Sequence, residues 1–272
     1  MPPPAFHPLL VEVRNEGPTT GTGNNTYLLA PPGAPASLID AGIGTAAHLD
    51  AIAAHLTARR APLTDVLVTH AHPDHIAGAP ALAARFGVRR FAKYRWPGHD
   101  TAALDWTHVD DGAALAVAGT TLVALHTPGH SPDHLAFWHE PSGTLFTGDL
   151  VHQLASVAII FSRGGNLAHY LASLERLLAL NPTRLLPGHG PAIDRPADVL
   201  RATLAHRRAR EAQVAAAVAS GHETAQAIAD SIYDGLLPAL MVLARETVRA
   251  HLEKLKTDGR AIDDNDRWRA TT

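Results

Sequence analysis

Apolar positions along this chain recur at two spacings, every second residue and every third to fourth, and the switch between them predicts its elements. Residues 9–13 (Leu-Leu-Val-Glu-Val) and 26–29 (Thr-Tyr-Leu-Leu) read as strands flanking a Gly/Asn/Thr loop from Gly17 to Asn25. Ser37-Leu38-Ile39 is the next strand and runs out on Asp40-Ala41-Gly42, after which Leu49, Ile52, Ala53 and Leu56 give Ala46 to Arg60 a helical face. Val66 to Thr69 follows as a strand and Ile76 to Phe86 as a helix, an alternation that predicts layered packing of helices on a sheet. Between residues 88 and 147 the pieces become short, at Val88 to Phe91, Leu115 to Val117, Thr121 to Leu125, Leu135 to Trp138 and Thr144 to Thr147. Their close spacing and Gly-containing turns suit an antiparallel sheet. Leu167 to Leu180 is an amphipathic helix stopped by Asn181-Pro182.

From about Pro196 the pattern is nearly all helical: Leu200 to Ser220, Ala225 to Tyr233, and Ala239 to Lys256, the last closed by Gly259. Ala261-Ile262 and Arg267-Trp268-Arg269 pair as a hairpin across the turn 263–266. Helices followed by a hairpin are the order of a winged helix. Two domains are therefore expected, 1–196 and 197–272.

Composition narrows the functional classes. At 272 residues and 46% apolar content the chain can bury a full core. No run reaches the roughly 18 apolar residues of a membrane span, and Met1 to Pro4 lacks the layout of a signal peptide. No membrane partner is expected, and the expected location is cytoplasmic. With no cysteine, any metal must be held by His, Asp or Glu. A net charge of −3 gives no global attraction to nucleic acid. From residue 201 onward eleven Lys/Arg stand against ten Asp/Glu, and Arg201, Arg207, Arg208 and Arg210 form the one local basic stripe.

The chemistry concentrates at Thr69-His70-Ala71-His72-Pro73-Asp74-His75. Pro73 forbids a continuous helix through the histidines and biases His72 toward extended backbone, so the ligand-type groups sit on a loop at a strand end. Pro-Gly-His recurs at 128–130 and 187–189, each time after an apolar strand, and Asp149 follows Leu145-Phe146. The set of seven is His70, His72, Asp74, His75, His130, Asp149 and His189. Seven such groups suit two zinc ions sharing one carboxylate, with positions left open for water, the catalytic rather than the structural arrangement. A water shared by two cations is acidified toward neutrality and supplies hydroxide. The same donors accept manganese or iron.

HAHPDH, TPGHSPDH, TGD and PGHG, in this order and spacing, resemble the metallo-β-lactamase superfamily. Asn25 to Leu29 and Leu38 to Gly42 match segments that open its fold. The resemblance implies an α+β fold, the four-layer αββα sandwich, with a dinuclear site: His70, His72 and His130 on one metal, Asp74, His75 and His189 on the other, Asp149 bridging. The C-terminal helices with HLEKLKTDGRAIDDNDRWRA most resemble the β-lactamase-like protein 2 group, whose members add a winged-helix-like domain and include an endoribonuclease acting on single-stranded RNA.

The implied activity is hydrolysis by a metal-bound hydroxide, with Asp74 orienting the nucleophile or taking its proton and Asp149 joining the metals. An ester or thioester fits the acidic balance and the apolar stretch Val151 to Phe161; a phosphodiester such as RNA needs the basic stripe. A nucleic-acid-binding regulator working through the winged helix is the non-enzymatic alternative, and assembly as a homo-oligomer is compatible with the sequence. Asp40 is expected beside a ligand histidine or, equally, as the N-cap of the following helix. His134 and His152 are expected on the substrate side or behind the ligands; for His134 the alternative is simple capping by Ser131, and for His152 a satisfied core histidine is equally compatible. Val151 to Phe161 reads as an ordinary strand or helix start on the core; formed instead into a lip, it would make Arg163 a charged selector.

Overall fold

The structure, a computed structural model, describes residues 6–17, 20–100, 104–153 and 156–271, so Met1 to Pro4 and Leu154 of the expectations above lie outside the described residues. The chain forms two compact units. The first takes residues up to 127, 133–155 and 181–196; the second takes 128–132, 156–180 and 197–272.

In the first unit a six-stranded sheet holds β1 (Leu9–Glu12), β2 (Asn25–Leu29), β3 (Ala36–Ile39), β4 (Leu63–Leu67), β5 (Arg90–Lys93) and β6 (Trp106–His108), neighbours in that order. The first three are antiparallel and β3 to β6 run parallel. Parallel neighbours need a crossover. Helix α1 (Ala46–Arg59) supplies it between β3 and β4, and α2 (Pro73–Ile76) with α3 (Ala79–Phe86) between β4 and β5. Side chains alternate across a strand, so Leu28, Leu38 and Val66 pack with Leu49, Ile52 and Leu82 of the helices, while Leu29, Ile39 and Leu67 face the opposite way.

That second face meets Leu122, Leu135, Phe137, Phe146 and Leu186 of a five-stranded sheet. Its strands are β7 (Ala114–Val117), β8 (Thr120–His126), β9 (Leu135–His139), β10 (Thr144–Gly148) and β11 (Arg184–Pro187), in the order β11-β10-β9-β8-β7. Burial on both faces explains why the strands read as apolar runs rather than alternating ones.

Several boundaries differ from the expectation. The strand expected at 66–69 runs from Leu63 to Leu67, and the helix expected from Ile76 breaks after α2. At the break the Gly78 N–H donates to the Gly42 carbonyl (2.8 Å), turning the chain against the loop after β3. The strand near 88 lies at 90–93 and joins the first sheet in parallel instead of the antiparallel one. Strand β6, three residues long, is too short to show a period.

The second unit contains α4 (Leu167–Ala179), α5 (Pro196–Ala219), α6 (Ala225–Ile232), α7 (Pro238–Thr257) and the hairpin of β12 (Ala261–Asp264) and β13 (Arg267–Ala270). Asn265 and Asp266 both take positive φ (55° and 62°), the backbone of a two-residue hairpin turn. Val214, Val218, Ile228, Val248, Leu252, Leu255 and Trp268 make a common core. Residues 156–160 are neither the strand nor the helix start expected, and they lead into a 3-10 turn, Phe161–Arg163, with Arg163 exposed. Side chains rather than a ladder serve this backbone: Arg207 donates to the Val157 carbonyl and Thr247 Oγ1 accepts from Ile159 N–H.

The basic stripe is engaged within the same unit. Arg207 is buried against Val157 and lies 5.1 Å over Tyr170, Arg208 pairs with Glu175 at 2.7 Å, and Arg210 stacks 4.2 Å over Tyr233. Among the described residues, no helix is long and apolar enough to cross a membrane.

Candidate metal centre

Leaving β4, the chain bends at Thr69 and starts α2 at Pro73, with His72 at φ −68°, ψ 143° as the proline favours. One turn of helix then carries Asp74 and His75, and the Ala41 N–H donates to the His75 carbonyl (2.8 Å), fixing the turn against the end of β3. Asp149 leaves the end of β10 and His189 the end of β11, which lie side by side.

Four donor atoms converge in the first unit. His75 Nε2 lies 3.2 Å from Asp149 Oδ1 and 3.6 Å from Asp74 Oδ2; His189 Nε2 lies 3.3 Å and 3.4 Å from the same two oxygens. All four donor atoms lie within 4.8 Å of one another, and separations of 3.2–3.6 Å are those of groups that reach a common zinc ion at about 2.0–2.2 Å, so these residues fit the ion. Beside them His70, His72 and Asp149 bring one ligand atom each within 4.8 Å of one another. There His70 Nε2 and His72 Nδ1 are 2.9 Å apart and Asp149 Oδ2 lies 4.0 Å from His70 Nε2. Asp149 thus turns one oxygen to each group. His130, the remaining expected ligand, sits on the turn 128–132 of the second unit with Nδ1 3.1 Å from the Ala158 carbonyl.

Surrounding groups set the histidine tautomers. Asp40, at positive φ (63°), accepts His75 Nδ1–H at 2.8 Å and the Thr69 N–H at 2.8 Å, so the His75 lone pair faces the cluster on Nε2. The N-cap of α1 is Thr45, not Asp40. The Thr69 hydroxyl has one proton, which it gives to Asp40, and it therefore accepts from His70 Nδ1 (3.0 Å). His189 Nδ1 points at the Gly23 carbonyl (3.3 Å).

Without a metal the cluster is a set of coupled ion pairs. Burial works against the charge on His75, but Asp149, Asp40 and Asp74 outweigh it and raise its pKa well above the usual histidine range. His189 is likewise held up to about 9 by Asp149 and Asp74 despite its burial. Burial opposes the ionised form of Asp149 and of Asp74, yet the neighbouring histidines hold both carboxyls well below their ordinary range. Burial lowers His72. Metal uptake displaces the protons on His75 and His189, so affinity falls as pH falls.

The outlying expectations divide. His134 is fully buried behind Asp149: its Nε2 accepts the Asp149 N–H (3.1 Å) and its Nδ1 lies 2.9 Å from Thr127 Oγ1. It holds the backbone of Asp149. His152 is half-buried with its ring 6.2 Å from that of His189. Arg163 belongs to the second unit, exposed on the 3-10 turn. Sequence reasoning missed the role of Thr69, and of Lys93, which is fully buried between Asp100 (2.5 Å) and Asp133 (2.9 Å). It also missed Asn24, whose amide donates to Asp74 Oδ2 at 2.9 Å. Only the Asn24-Asn25 doublet next to a strand offered a signal.

Comparison with known proteins agrees with this picture. Residues 19–189 match the family model described as the metallo-beta-lactamase superfamily, and 224–268 the beta-lactamase associated winged helix domain. A beta-lactamase-like protein 2 homolog of Caenorhabditis elegans is 31% identical over 249 residues, covering 90% of this chain and 82% of the relative. An atrochrysone carboxyl ACP thioesterase of Emericella nidulans is 32% identical over 202 residues, 74% of this chain and 62% of the relative. The chain therefore spans less than two thirds of that fungal enzyme. A crystal structure of a metallo-beta-lactamase family protein from Thermus thermophilus superimposes with a TM-score of 0.80 at 25% identity, covering 97% of this chain and 98% of that one.

Proposed function

The chain belongs to the metallo-beta-lactamase superfamily, and on that premise we propose that it is a two-metal hydrolase of esters or thioesters. The observation that carries the reading is the convergence of Asp74, His75, His189 and Asp149 on one point, with the second oxygen of Asp149 turned to the group of His70 and His72. In this reading His70, His72 and, as the family pattern implies, His130 hold one ion; Asp74, His75 and His189 hold the other; Asp149 is shared. When bound, the ions supply Lewis acidity toward the scissile carbonyl and acidify a water.

The protein's own groups orient. Asp40 and the Gly23 carbonyl keep the Nε2 atoms of His75 and His189 directed inward, and His134 fixes Asp149 through its backbone. Asp74, half-buried and kept ionised by its neighbours, is assigned the orientation of the attacking water.

Two observations support an acyl substrate over RNA. Three arginines of the C-terminal stripe are engaged by internal partners, which weakens the basic track a polyanion requires. A relative covering three quarters of this chain is named as a thioesterase. The second reading, a single-strand endoribonuclease, is supported by the winged-helix match and the beta-lactamase-like protein 2 relative.

The test is a parallel assay of an acyl thioester, a lactone, a chromogenic phosphodiester and single-stranded RNA, with zinc, manganese or iron supplied in turn. Thioester or lactone turnover abolished by a chelator is the expected result. Cleavage of RNA alone would replace the acyl reading with the ribonuclease one. Salt-sensitive nucleic-acid binding without any turnover would favour a regulatory protein.

A further inference from the structure

Between β1 and β2 the chain folds back on itself without regular structure. The Thr20 hydroxyl donates to the Asn15 carbonyl (2.6 Å), Gly23 N–H to the Thr20 carbonyl (2.9 Å), and Val13 N–H to the Asn24 carbonyl (2.9 Å). Asn15 and Asn24 are thereby placed side by side. Gly23 makes the approach feasible: at φ 107° a Cβ there would fall 2.9 Å from Asn15 N.

The polarity of this pair is determined by chemistry. The Asn24 N–H can only donate, so the atom of Asn15 at 2.8 Å from it is the carbonyl oxygen, Oδ1. Asn15 must then present its amino group, which donates to Asn24 Oδ1 at 2.7 Å. Asn24, only 1% exposed, is left with its own amino group directed at Asp74 Oδ2 (2.9 Å) and His75 Nε2 (3.2 Å). The amino group of Asn24 thus donates to Asp74 Oδ2, the oxygen through which Asp74 faces the cluster. No other orientation of either amide satisfies all of these contacts.

From this relay we infer that Asn15 and Asn24 are positioning residues for the Asp74-His75-His189 metal position, working through the Asp74 carboxylate. The inference rests on the two-metal reading above. A carboxylate free to rotate presents either oxygen, or neither, to the ion; the Asn24 amide selects Oδ2, the oxygen 3.4 Å from His189 Nε2. Partners of this kind behind a ligand typically change metal affinity by about 10–100-fold. The same loop supplies the Gly23 carbonyl to His189 Nδ1, so it steadies two ligands of one position.

The substitution Asn15→Asp tests the relay with almost no change of shape. The aspartate still accepts the Asn24 N–H but cannot donate to Asn24 Oδ1. Asn24 must turn its amino group toward residue 15 and its oxygen toward Asp74, breaking the bond and setting two oxygens against each other. The zinc-stripped full chain would be titrated with zinc against a chromogenic chelator, for wild type, Asn15→Asp and Asn24→Ala. The expected result is two equivalents for wild type, and for both variants one equivalent bound as before and one bound about 10–100-fold more weakly. Melting curves of the stripped proteins check folding, and Asn24→Ala serves if Asn15→Asp does not fold. A purely electrostatic influence has the opposite sign, because an added negative charge tightens cation binding. Unchanged or tighter binding of both equivalents in the folded variants overturns the relay. Fewer than two equivalents in wild type instead overturns the two-metal reading, and the inference with it.

Discussion

His48 makes the fold sensitive to acid in a way that can be worked out in advance. It lies in α1, 1% exposed, with Nε2 2.9 Å from Thr26 Oγ1. That hydroxyl gives its single proton to the Val11 carbonyl (2.9 Å), so it accepts from His48 Nε2–H. His48 Nδ1 is then a buried acceptor with no hydrogen-bond partner, and protonating it would create a buried charge with nothing to receive the new N–H. Burial lowers the pKa from 6.5 to about 4. Because the folded value lies below the unfolded one, the unfolded chain takes up the proton first as pH falls. The stability tied to neutral His48 is fully present above about pH 6.5 and is lost progressively toward pH 4. Over the whole window the shift corresponds to about 3 kcal/mol, most of which is gone at pH 4.5. Urea unfolding of the zinc-stripped wild type and of His48→Leu at pH 7.5 and 4.5 isolates this contribution, since the metal ligands titrate alike in both and cancel in the difference. Loss of the Thr26 bond gives the variant a fixed deficit. Its gap to wild type should shift in the variant's favour by about 2.5 kcal/mol at the lower pH. A gap that stays constant would show that His48 does not titrate differently in the folded chain, and the reasoning would fail.

Further outcomes follow from the same geometry. Asp149→Ala removes an oxygen from each donor group, so metal analysis should show most of both equivalents lost together with activity; a full metal complement would exclude a shared carboxylate. Gly78→Ala keeps an allowed backbone (φ −75°, ψ −11°) but places Cβ 2.2 Å from the Ala41 carbonyl oxygen, so the penalty is purely steric. It should cost about 3 kcal/mol, read as a lowered melting temperature, and a melt like wild type would show that the loop yields.

Much of the site was legible along the chain. His70 to His75 lie within one short loop, Pro73 forces the break between extended and helical backbone, and the other expected ligands follow apolar runs. Strand ends deliver side chains to one rim of a sandwich because parallel neighbours finish at the same level, so local pattern was enough to collect Asp149 and His189 with the loop. The winged-helix order was readable for a similar reason: its helices and hairpin are each set by near neighbours in sequence.

What the chain alone did not decide are the meetings of residues far apart. His134 is four residues from His130, yet it is fully buried and takes the Asp149 N–H, a partner that no local pattern indicates. Arg207 and Arg208 look like a basic stripe until packing supplies Val157, Tyr170 and Glu175 as partners. Asp40 was equally compatible with a helix cap until β3 and β4 paired and brought it to His75. Asn24 and Asp74 are 50 positions apart and acquire a relationship only when the loop before β2 closes over α2. Ligand identity is a property of residue type and local backbone, which sequence carries directly. Ligand orientation depends on hydrogen bonds across loops and strands whose register no local period encodes, and in this protein the tertiary structure alone determines it.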